Sequence, residues 1–119
     1  MGPFSNTELK LADSAVQRKY VRYVKPDYPV NALRNAVEGI MIVRVIIAPD
    51  GRISDAAFVK MQKFKRAPYN KKYAATPYFT DDQLISELAV AAQNGLKNSV
   101  VESDDQPMIL DVKVGFTIK

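Results

Sequence analysis

Tyr28-Pro29, Ala32, Glu38-Gly39, the run Ile40-Met41-Ile42-Val43-Arg44-Val45-Ile46-Ile47-Ala48 and the closing Pro49-Asp50-Gly51-Arg52 follow one another in that order. Pro29 has the fixed φ that suits the first turn of a helix, so a short helix through Ala36 is expected. Gly39 stands between that helix and the apolar run, and is read as supplying a backbone conformation closed to other residues. The run reads as a strand with two apolar faces, Met41, Val43, Val45 and Ile47 on one and Ile40, Ile42 and Ile46 on the other. A strand buried on both sides belongs in the middle of a sheet. Asp50-Gly51 then makes a hairpin turn, and a second strand is expected from Arg52 to about Met61.

Working outward, residues 1–24 read as a lead-in in which Asn6-Thr7 caps a helix bearing Leu9, Ala12, Val16 and Tyr20 at helical spacing. Lys25-Pro26-Asp27-Tyr28-Pro29 is extended, because each proline pushes its predecessor out of the helical region. Thr80-Asp81-Asp82-Gln83 is a capping box ahead of a helix with the stripe Leu84, Leu88, Ala91, Ala92 and Leu96. Residues 108–118 alternate as a last strand, with Met108, Leu110, Val112, Val114, Phe116 and Ile118 on a buried face and Asp111, Lys113, Thr117 and Lys119 on a wet one. Helix, hairpin, helix and strand make an α+β domain. Two helices would pack a three-stranded antiparallel sheet ordered second, first, third, with the last strand at an edge.

A chain of 119 residues has room for one domain and one modest core. Seventeen basic against 13 acidic residues leave a net charge of +4, too mild to imply nucleic acid. The sequence has neither cysteine nor histidine, so thiolate nucleophiles, imidazole bases and the commonest transition-metal ligands are missing. The expectation is therefore no catalytic residue, no metal and no cofactor. The longest apolar stretch, 40–48, is interrupted by Arg44 and falls well short of the ~20 residues that cross a bilayer.

Pro26-Asp27-Tyr28-Pro29-Val30-Asn31-Ala32, Val37-Glu38-Gly39-Ile40 with Val43 and Val45, and Asp50-Gly51-Arg52-Ile53 resemble the C-terminal domain of TonB, the periplasmic energy transducer of Gram-negative bacteria. That family's pattern is P-x-Y-P-x-x-A, then E-G-x-V/I-x-V, then D-G-x-I/V. The resemblance covers residues 25–119, is specific in its first half, and is interrupted at 62–79, where the family has a much shorter connection. It implies a TonB/TolA-like fold in a periplasmic domain, part of a longer protein anchored to the inner membrane. The implied partner is an outer-membrane TonB-dependent receptor for siderophores, vitamins or glycans, whose TonB box adds to the last strand. Inner-membrane motor proteins would engage the N-terminal part. The resemblance leaves open a monomer or a strand-exchanged dimer, and a TolA-like or sensor-linked domain that binds other envelope proteins.

The candidate binding residues follow from both lines. An edge strand presents unpaired backbone groups, so Leu110, Asp111, Val112, Lys113, Val114, Gly115 and Phe116 either recruit an extended peptide or serve only as structure. Lys25, Pro26, Tyr28 and Pro29 match the family stretch beside the docked receptor segment; the alternative is that Tyr28 packs on the core and the prolines set the chain's entry angle. Lys25 departs from the family's usual glutamine. Residues 62–79 carry Lys63, Lys65, Arg66, Lys71 and Lys72 among Phe64, Tyr69, Tyr73, Tyr78 and Phe79, read as a long basic loop. Such a loop binds peptidoglycan, an acidic partner or single-stranded nucleic acid, or folds its aromatics onto the sheet; nucleic acid is not the expected partner. Glu38 is expected to pair with Arg34, and Asp81-Asp82 to complement a helix dipole rather than hold a metal.

Overall fold

β-Branched side chains dominate residues 37–47, and the strand they form organises the molecule. The computed structural model of the chain describes residues 19–67 and 79–118. Its elements are β1 (Tyr20–Arg22), α1 (Val30–Arg34), β2 (Val37–Ile47), β3 (Ile53–Arg66), α2 (Asp81–Lys97), β4 (Val100–Val101) and β5 (Met108–Phe116). This is a small α+β domain. A three-stranded antiparallel sheet has the order β3-β2-β5, and β1 pairs with β4 in a separate two-stranded one.

One face of the large sheet is covered. Met41, Val43, Val45 and Ile47 of β2 meet Leu84, Leu88, Ala92 and Leu96 of α2, all buried in one cluster with Ala32 of α1. The capping box forms, with Gln83 N–H donating to the Thr80 hydroxyl and Thr80 N–H donating to the Gln83 side chain. Ala89 and Gly95 join the buried stripe of α2, while Ala91 is only half-buried. At the hairpin, Gly51 takes φ 90°, and a Cβ there would lie 2.0 Å from the Val101 carbonyl oxygen. Only glycine fits, because β4 donates its Val101 N–H to the Gly51 carbonyl at 2.9 Å.

Several expectations are corrected. Tyr20 lies in β1 opposite Val101, not on a helix, and Leu9, Ala12 and Val16 lie outside the described residues. β3 does not stop at Met61. Its residues Lys63, Phe64, Lys65 and Arg66 pair with Ile40, Gly39, Glu38 and Val37, so the start of the supposed loop is strand. β5 ends at Phe116, leaving Ile118 exposed beyond it, and Ile109 is buried opposite Ile46 on the face expected to be wet. The left-handed residue after α1 is Ala36, at φ 50°, and Gly39 sits inside β2. Gly39 is needed for space: a Cβ would lie 2.6 Å from the Lys63 carbonyl oxygen and 2.7 Å from Met61 Cε. The Glu38 carboxylate accepts the Ile118 N–H at 2.8 Å, the interaction found in place of the expected pair with Arg34.

These two backbone positions separate experimentally. Gly39→Val pushes a branched side chain into a backbone carbonyl that cannot rotate away, and should cost ~1–3 kcal/mol in urea unfolding. Ala36→Gly relieves a left-handed residue and should leave stability equal or raise it by ~0.5–1 kcal/mol. Equal midpoints for Gly39→Val and the parent chain would show that β3 can move aside.

Candidate functional site

The open edge of β5 is the feature that sequence and structure place together. β5 pairs with β2 from Gly39↔Phe116 to Ile47↔Met108 with no bulge, and among the described residues its other side is an edge of the sheet. Which amides face outward follows from the ends of β2. Ala36 accepts from Ala67 N–H, and Ala48 N–H donates to Arg52 at 2.8 Å, so the even-numbered backbone groups of this segment turn toward β3. Its odd-numbered groups therefore turn toward β5, where they exchange bonds with the even-numbered residues directly opposite, such as Val112 and Val114. The Ile118 N–H, directed at Glu38, keeps the same sense. Ile109, Asp111, Lys113 and Gly115 consequently point their N–H groups away from β2, into the open edge.

Side chains along this edge divide by face. Val114 and Phe116 are buried on the helix side, while Leu110 and Val112 are half-buried there and only lap the core. Across the sheet, Asp111 accepts two bonds from Arg44, Nε at 2.9 Å and Nη2 at 3.2 Å. Those bonds, and then the carboxylate's charge, hold the guanidinium more firmly protonated than usual. With Arg44 48% and Asp111 30% exposed, the pair is worth only ~0.5 kcal/mol. Its effect is to fix Asp111 against β2 rather than leave it free for a partner. Lys113 and Gly115 are exposed.

The Tyr28 segment closes one end of β5. The Tyr28 ring meets Phe116 edge-on with centroids 5.3 Å apart, and its hydroxyl donates to the Val37 carbonyl, an oxygen that β5 stops short of reaching. Tyr28 thus packs on the core while remaining half-buried at the strand's end. Pro26 lies against α2, with its Cγ 3.0 Å from where a Cβ on Gly95 would stand, and Lys25 is exposed. Pro29 caps α1, its carbonyl accepting Leu33 N–H at 3.0 Å.

The basic candidates separate. Tyr69, Lys71, Lys72 and Tyr73 lie outside the described residues. Arg66 is structural: it donates to Asp81 at 2.8 Å and to the Asn35 side chain at 3.0 Å, tying β3 to the start of α2 and the end of α1. Lys63 and Lys65 are exposed on β3, opposite Ile40 and Glu38. The sequence reading did not single out Lys60, which stands on the same strand face opposite Ile42. The alternation Lys63-Phe64-Lys65 was a strand signal, hidden because bulges in β3 break its period before Lys60.

Burial, and then the Glu38 carboxylate, push the Tyr28 phenol above its ordinary range; burial, and then Tyr23, do the same to Tyr20. A raised phenol pKa stabilises the fold below about pH 10 and loses that contribution as pH rises through the folded value. Tyr28→Phe should therefore cost ~1 kcal/mol at neutral pH, through loss of the bond to Val37, and flatten the decline in stability above pH 10. Urea titrations at neutral and alkaline pH check both; an unchanged alkaline slope would assign that decline to Tyr20.

Compared with protein-family models, with characterised proteins and with solved structures, the chain finds no significant match.

Proposed function

We propose that this chain is a non-catalytic, TonB-like periplasmic module of an energy transducer anchored in the inner membrane. It takes the TonB box of an outer-membrane receptor as an added strand on β5 and passes on the pull of inner-membrane motor proteins for nutrient uptake. The motif resemblance supplies the family, and the single observation that carries the mechanism is the open edge of β5. An edge strand held straight by an unbulged partner offers a row of donors and acceptors that an extended peptide can satisfy. In this reading recognition is carried by the backbone, side chains of the peptide falling alternately on the helix side, near Leu110 and Val112, and on the far side, near Lys113 and Gly115.

Single-atom changes test it. N-methylation of Lys113 by chemical ligation removes an outward donor and should leave the melting temperature nearly unchanged, while weakening a TonB-box peptide by ~0.5–1.5 kcal/mol. N-methylation of Val112 removes a bond to β2 and should chiefly damage folding. Equal unfolding by both, or no effect of the first on any receptor peptide, would end the strand-addition mechanism.

A further inference from the structure

The face of the sheet turned away from α1 and α2 has its own chemistry. By register it carries Glu38, Ile40, Ile42, Arg44 and Ile46 on β2, flanked by Lys65, Lys63, Lys60, Ala57 and Asp55 on β3 and by Gly115, Lys113, Asp111 and Ile109 on β5. Ile40, Ile42 and Ile46 are only half-buried, an aliphatic stripe along the middle. The acids here are engaged: Asp111 with Arg44, Glu38 with the Ile118 N–H, and Asp55 with the Ala56 N–H. The ammonium groups of Lys60, Lys63, Lys65 and Lys113 have no carboxylate within 4.0 Å among the described residues. Five cations, Arg44 with Lys60, Lys63, Lys65 and Lys113, thus stand against the three carboxylates Glu38, Asp55 and Asp111 on this face, which leaves it net positive around an apolar floor.

That floor deepens into a groove of about 460 Å³ lined by Glu38, Gly39, Ile40, Lys63, Lys65 and Thr117, with Phe64 and Phe116 between them. Beside it stands Gly115, opposite Ile40, where a Cβ would meet nothing within 4 Å. Glycine weakens a strand, and neither a close neighbour nor a positive φ accounts for this one. Its effect is to leave the Ile40 floor open from the β5 side.

We propose that this face is a docking surface for an acidic polypeptide segment that interleaves carboxylate with aliphatic side chains. Charge selects the sign, since the excess of cations over carboxylates on this face attracts an acidic segment and repels a second copy of the same face. The floor selects the character: isoleucines and lysine stems bury aliphatic groups. At the register positions of this face the described residues place no aromatic side chain, and Phe64 and Phe116 pack on the core while lining one end of the groove, so among the described residues no row of rings offers the stacking platform of single-stranded nucleic acid. The proposal stands apart from strand addition, because it uses side chains on the face of β2, β3 and β5 and no free amide of β5.

Nuclear magnetic resonance titration of the isotope-labelled chain with the peptide acetyl-Glu-Ile-Glu-Ser-Glu-Ile-Glu-amide tests it. Amide shifts should change at 38–42, 60–65 and 113–117, and binding should weaken about tenfold between low and physiological salt. The same peptide with every Glu replaced by Gln should bind at least about tenfold more weakly, and the double substitution Lys63→Ala with Lys65→Ala should weaken the acidic peptide about fivefold, whereas Lys97→Ala on α2 should not. A chain N-methylated at Asp111 should still bind, which separates failure of this surface from failure of the β5 edge. Equal binding of the Gln peptide, indifference to the Lys63 and Lys65 substitutions, or preference for oligothymidylate or phosphatidylglycerol vesicles over the peptide would overturn the proposal.

Discussion

Hydrogen bonding on both sides of β2 is the constraint on which the rest of this fold depends. From Gly39 to Ile47 every residue of the strand has a partner in β3 or its bulges and a partner in β5. A one-residue slip on either side would turn Met41, Val43 and Val45 out of the core and the charged Arg44 into it. The apolar side chains thus specify the register, and the register in turn decides which amides of β5 remain free. The helices then have only to cover one face, which α2 does chiefly over β3 and β2.

This division explains why the two sides of the sheet differ. On the covered side packing is close enough that Gly39 has no room for a methyl group, whereas on the other side Gly115 faces open space. Two glycines in neighbouring strands therefore have opposite physical meanings, one set by crowding and one by vacancy. Between them lies the end of β5, where Tyr28 supplies to Val37 the hydrogen bond that a longer strand would have made. Tyr28 is in this sense a substitute for a missing strand residue.

Local signals were the most legible in the sequence. The Thr80/Gln83 box and the Asp50-Gly51 turn act through neighbours a few residues away and are found where the residues put them, while the alternation read over 108–118 holds as strand only to Phe116, with Ile109 buried on the other face. The α+β class with a three-stranded antiparallel sheet and two helices was legible for the same reason. What failed depended on distant partners. The extension of β3 through Arg66 requires Val37 and Glu38 to continue β2 past Gly39, and the bulges that allow it erase the simple alternation. Tyr20 looked helical by spacing but is fixed by Val101, more than eighty positions away. The place of the last strand beside β2 was readable, whereas the outward parity of its amides needed the ends of β2, and the lysine cluster needed the β3 register.

The lead-in has a mechanical consequence. Its attachments include the two-residue pairing of β1 with β4, the Glu102 N–H on the Lys19 carbonyl at 3.0 Å, the Val24 N–H on the Ser99 hydroxyl at 2.9 Å, Arg22 on the Asn98 carbonyl at 2.9 Å, and Pro26 against Gly95. These hold the chain to the end of α2, to β4 and to Glu102 just after it. Tension applied at residue 19 would therefore load these few contacts directly and first along the chain. Freeing residues 19–27 would pay out up to roughly 30 Å of tether. Tyr28, anchored on Val37 and Phe116, is where slack ends and the sheet begins to feel the pull.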